Sequence, residues 1–132
     1  MHLIRFGLLA GLIGAPAAAQ SPMTAEEFEA FVTGKTLDFS NSAGVFGTEE
    51  YLPGRRVRWA FTDDICKFGY WYEADAMICF AYDGYPDQHC WTVWVEGGHL
   101  AARPAGDSPD TAPHSITEAT KPLTCLGPDV GV

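Results

Sequence analysis

The sequence predicts a mainly β fold: an antiparallel meander or barrel of seven to eight strands with one short N-terminal helix. Three observations carry this. Apolar residues recur at every second position through most of the chain, as in RRVRWAF and HCWTVWVE. Turn-forming residues punctuate these runs at short intervals, so consecutive strands are joined by short links. Four cysteines, Cys66, Cys79, Cys90 and Cys125, lie in a short chain whose first residues read as an export signal.

Residues 1–19 read as a signal peptide. Arg5 supplies the positive n-region, Phe6 to Ile13 the apolar stretch, and Ala17-Ala18-Ala19 the small residues before a cut at Gln20. The apolar stretch is too short to span a bilayer, and Gly-Ala-Pro interrupts it. The expected mature chain, Gln20 to Val132, has 113 residues, enough for one domain. The expected location is periplasmic or secreted. The chain of 132 residues has a formal net charge of −9, and loss of Arg5 takes the mature part to −10. Such acidity disfavours nucleic acid and anionic lipid surfaces as partners and favours solubility. A monomer is expected.

SPMTAEEFEAFVTG predicts the helix, within residues 20–34. Thr24 and Glu27 form a capping-box pair, Glu26 and Glu27 suit the positive end of the helix dipole, and Phe28, Phe31 and Val32 make one apolar face. From Lys35 the period changes to two. KTLDF, FGTEEYL, RRVRWAF, KFGYWYE, MICFAYD, HCWTVWVE and HLAAR read as strands, and residues 35–103 form the β-meander. Alternation turns Leu37 and Phe39 inward, and Val57, Trp59 and Phe61 likewise, with Arg56 and Arg58 opposite. A meander of this kind closes into a barrel or folds into a sandwich. Residues 104–132 hold five of the nine prolines and read as a loose tail, with at most a helical turn at Ser115–Glu118, tied back through Cys125.

The stretch ICFAYDGYPDQHCW poses the sharpest question. If its two halves pair as a hairpin, Cys79 and Cys90 share one face and Phe80 and Trp91 the other, which permits a Cys79–Cys90 disulfide. Cys66–Cys125 would then clamp the tail. Four cysteines allow three pairings, and spacing does not choose among them. A metal site is disfavoured: no Cys-x-x-Cys occurs, and cysteine spacings of 13, 11 and 35 do not fit zinc knuckles. No cofactor is expected.

Other motifs give no reaction. Gly34-Lys35-Thr36 lacks the upstream glycine of a phosphate-binding loop, and no Gly-x-Ser-x-Gly occurs. Asp63-Asp64 reads as a turn, and Asp83 and Asp87 as loop residues. Arg55, Arg56 and Arg58 read as partners for Glu49 and Glu50 across the Pro53-Gly54 turn, or as an anion contact. Ten aromatic residues fall in the 34 positions from Phe61 to Trp94, one set inward and one outward. Tyr70 and Tyr72 share one face and Trp71 the other, and Trp91 and Trp94 face apart.

The pieces GKTLDF, GTEEYLPGRRVRW, CKFGYWYE, ICFAYDG, HCW and GGHLAAR, between Gly34 and Arg103, resemble a group of small, uncharacterised exported bacterial β-domains. The resemblance implies a lipocalin-like, calycin-type meander without an established activity.

The expected function is that of a non-enzymatic exported β-domain that binds a small apolar ligand, an envelope component or a protein partner. Binding would fall in the barrel interior or on an exposed aromatic face, with Tyr70, Tyr72, Trp94 and Arg58 as candidate ligand residues. Two alternatives are an envelope hydrolase using carboxylates such as Glu49, Asp63 or Asp83, and a protein inhibitor acting through the loop at residues 83–88.

Overall fold

In a computed structural model, Gly11 and residues 21–126 are described. The expected signal-peptide cut and the end of the tail fall outside them. Eight antiparallel strands form one closed barrel in chain order, and one helix precedes them. The strands are β1 (Thr36–Asn41), β2 (Gly44–Leu52), β3 (Arg56–Phe61), β4 (Lys67–Ala74), β5 (Met77–Tyr82), β6 (Gln88–Glu96), β7 (His99–Pro104) and β8 (His114–Glu118). Closure leaves no strand edge unpaired and settles the barrel-or-sandwich alternative.

Helix α1 (Ala25–Val32) is shorter than the sequence suggests. Thr24 is its N-cap, and the capping box with Glu27 is formed on both sides. Residues 21–23 lie outside the helix, and the Met23 N–H bonds the Val93 carbonyl at 2.8 Å. A helix of 8 residues, about two turns, is marginal alone, so α1 depends on what its apolar face meets. That face is Phe28 and Val32, both fully buried. Phe28 enters one end of the barrel and meets Tyr51, Trp71 and Phe80 edge-on, with centroids 5.7, 4.9 and 6.5 Å away. Outside the plug, Arg55 lies 4.6 Å over the Trp71 ring and 3.4 Å from Glu29. The helix therefore closes one mouth of the barrel.

The tail contradicts the sequence reading. Residues 114–118 are not a helical turn but strand β8, which pairs with β7 on one side and β1 on the other. Ile116 sits opposite both Leu100 and Phe39 and is 2% exposed. One apolar side chain in HSITE is too little alternation to announce a strand. The strand is fixed by two waiting neighbours, not by its own pattern.

The disulfides are Cys79–Cys90, the pair that hairpin geometry permits, and Cys66–Cys125. Cys79 and Cys90 are direct cross-strand partners on β5 and β6, with Cα atoms 3.9 Å apart. Cys66 and Cys125 join residues 59 positions apart and hold the segment after β8 against the body. No described cysteine is free. Two disulfides point to an oxidising, non-cytoplasmic compartment. Among the described residues no helix is long and apolar enough to cross a membrane.

Candidate functional site: an aromatic cup with a buried carboxyl

The barrel end opposite the helix is not plugged. Because the strands alternate in direction, the ends of β1, β3, β5 and β7 and the starts of β2, β4, β6 and β8 meet there. A cavity of about 120 Å³ runs inward from this end. Its walls are Phe39, Phe46, Trp59, Phe80, Tyr82 and Trp91, all on inward positions of their strands. Phe61, Lys67, Tyr85 and His89 form its rim. Glu49 reaches it from β2.

Local sequence explains the wall. The β1–β2 register shifts between Phe39 and Ser40, where Phe39 faces Gly47 and Ser40 faces Val45. This bulge leaves Phe46 as the extra residue, and its ring packs against the core. Gly47 follows. A Cβ there would collide with the Trp59 indole, so only glycine lets that ring lie across the strand. Phe39 and Trp59 meet at 5.3 Å and 89°, an edge-to-face pair. His114 of β8 packs on Phe46 and Trp91 at 5.3 and 5.2 Å.

Glu49 is fully buried. Tyr82 donates its hydroxyl hydrogen to Glu49 Oε1 at 2.9 Å, while Oε2 has no protein partner. The Tyr51 hydroxyl is also buried without a partner. No ion pair forms on Glu49 among the described residues. Burial pushes its carboxyl well above the ordinary range, against the opposing pull of the Tyr82 hydrogen bond. Burial, and then the nearby Glu49 charge, raise both the Tyr51 and Tyr82 phenols. Each of these shifts favours the uncharged form of its group. At the rim the Lys67 ammonium lies 4.2 Å from the Tyr85 ring centroid and 5.2 Å from that of Phe61.

The residues singled out from sequence lie elsewhere. Tyr70 and Tyr72 are on the outer face of β4, with ring centroids 5.9 Å apart, and the Tyr72 hydroxyl bonds Gln88. Arg58 is also outside and bonds Glu50 at 2.8 Å, as the cross-strand reading expected. Glu49 does not join that pairing, because it points inward. Trp94 is outward but only 6% exposed, with the Arg103 guanidinium 5.1 Å over its ring. It offers little stacking surface. Asp63 and Asp64 make the turn after β3, where Asp64 Oδ1 accepts the Ile65 N–H at 2.7 Å. Asp63 and Asp83 do not line the cavity that Glu49 reaches. His89 faces the cavity and the neighbouring Cys90 is disulfide-bonded, so the two do not converge. Among the described residues no three metal-ligating side chains cluster.

Comparison of the chain with protein-family models, with curated proteins and with solved structures finds no match.

Proposed function

We propose that this protein is a periplasmic or secreted, non-enzymatic binder of a small, largely apolar ligand, held inside the barrel and not on its outer aromatic face. One observation carries the reading: an aromatic cavity, open at one end and plugged at the other, whose buried carboxyl leaves one oxygen unpartnered. Natural small-molecule sites have this composition, apolar walls with a few convergent polar groups. A buried polar group without a partner is costly, and a bound ligand that pairs with it removes that cost.

The hydrolase alternative has less support, since among the described residues no second carboxylate lines the cavity. The loop at residues 83–88 contributes Tyr85 to the rim, which gives it a role in the cavity without invoking a partner protein.

Trp59 and Trp91 line the cavity, so ligand entry is readable in tryptophan fluorescence. The test is titration of the oxidised protein with toluene, followed by native mass spectrometry of protein taken directly from its export compartment. Saturable quenching supports the reading. A linear response and an adduct-free native mass overturn it.

A further inference from the structure

The chemistry of the cavity floor narrows the ligand class, given the small-ligand reading above. The floor carboxyl is fully buried, bears no ion pair, and already accepts the Tyr82 hydrogen on Oε1. A carboxyl in that setting keeps its proton, because an unpaired buried charge is far more costly than a neutral acid. With Oε1 accepting, the acid proton resides on Oε2, the oxygen without a protein partner. The floor therefore offers one strong hydrogen-bond donor in an apolar surround. A neutral acid used in this way is a known device for holding an acceptor oxygen.

Size and shape limit the rest. A cavity of about 120 Å³ is close to the ~150 Å³ of an engineered apolar cavity that holds benzene. It takes one ring with a short substituent. The edge-to-face arrangement of Phe39 and Trp59 suits a flat aromatic guest. Charge at the rim excludes the obvious competitor. An organic cation would be attracted by aromatic faces and by a deprotonated Glu49. It would have to pass the Lys67 ammonium, which already occupies the Phe61 and Tyr85 faces. An anionic head would meet no cation at the floor. The groups facing Glu49 are the Tyr51 and Tyr82 phenols, and the remaining titratable groups on the cavity are Lys67 and His89.

We propose that the barrel takes a small, planar, uncharged ligand bearing a hydrogen-bond acceptor, a carbonyl oxygen above all, with the Glu49 carboxyl as donor at the cavity floor and Tyr82 fixing its orientation.

Three probes of one shape test this: acetophenone, its apolar isostere α-methylstyrene, and 1-phenylethylammonium. Each is titrated by fluorescence and by calorimetry in two buffers of different ionisation enthalpy. Acetophenone is expected to bind about ten-fold tighter than α-methylstyrene, the worth of one buried hydrogen bond, with no proton released. Glu49→Gln keeps an N–H donor and should keep most of that preference. Glu49→Met should abolish it, while α-methylstyrene still binds. Equal affinity for the two neutral probes overturns the acceptor inference and leaves the cavity reading standing. Tightest binding of the ammonium, with release of one proton and loss in Glu49→Gln, overturns it in favour of a cation site. Failure of all three probes to bind wild-type protein overturns both the inference and the cavity reading. The wild-type comparison stands whether or not a variant folds.

Discussion

Tyr82 donates its phenolic hydrogen to Glu49 Oε1 at 2.9 Å, across the interior of the barrel from β5 to β2. The two residues are 33 positions apart in sequence, so only the closed sheet brings them together. Tyr82→Phe removes the sole protein donor to that oxygen and leaves the acid wholly unpaired. The expected cost is about 1–3 kcal/mol in urea unfolding, the price of one orphaned buried group. A variant as stable as wild type would mean that water satisfies the carboxyl equally well.

The same burial predicts an unusual pH dependence. The folded pKa of Glu49 lies above its unfolded value, near 4.5, so between the two the folded state binds the extra proton. Stability then falls as pH rises, by up to about 1.4 kcal/mol per pH unit. The contribution is fully present below the unfolded value and is lost as pH climbs toward the folded pKa. Glu49→Gln removes this term. Wild type minus variant, measured by denaturant unfolding from pH 5 to 8, should fall as pH rises toward the folded pKa and level off beyond it. A flat difference would mean that Glu49 ionises normally.

Gly47 supports the cavity wall by having no side chain. Gly47→Val drives a branched group into the Trp59 indole. Overpacking of this kind costs about 1–3 kcal/mol. Because Trp59 lines the cavity, its fluorescence should shift and probe binding should weaken together. Unchanged emission would show that the ring has another place to go.

Much of this architecture was legible from the chain. Strict alternation placed Val57, Trp59, Trp91 and Val93 inward, and put Cys79 and Cys90 on one face, because the period of a strand is two wherever one face is buried. The same rule applied to GTEEYL puts Glu49 on the face of Tyr51, which marks it as an interior acid. Reading Glu49 with Glu50 as partners for the arginines hid that signal. Tyr82 shares the face of Phe80 and was equally available. Lys67 and His89 were not, since a rim exists only once eight strands close. β8 was illegible for a different reason: its place is set by the edges of β1 and β7, and its own residues say little. Tyr70, Tyr72 and Arg58 drew notice by type, whereas Trp94 shows how an outward aromatic can still be covered by a neighbouring guanidinium.

The helix plug should be as important to the fold as any strand. Phe28 is fully buried and touches three aromatic rings from β2, β4 and β5. Phe28→Ala should cost about 3–5 kcal/mol, because a cavity between rigid rings collapses poorly. Near-UV circular dichroism and thermal unfolding check this. A cost under ~1 kcal/mol would mean that α1 docks without contributing to stability.

The two disulfides should differ in weight. In the loop-entropy view, closing 59 residues through Cys66–Cys125 stabilises by about 4 kcal/mol, and closing 11 through Cys79–Cys90 by about 3. The short bridge joins residues that β5–β6 pairing already holds opposite each other. The long bridge is different. It anchors the stretch after β8, whose backbone otherwise meets the body at an Ala119–Thr36 hydrogen bond and an Ile65–Leu126 bridge. Cys66→Ser with Cys125→Ser should therefore lower the unfolding midpoint more than Cys79→Ser with Cys90→Ser. It should also expose residues 119–126 to proteolysis while the barrel stays closed. Equal midpoints, or a barrel that opens when only the long bridge is lost, would show that the tail holds β8 in place and that closure itself depends on Cys125.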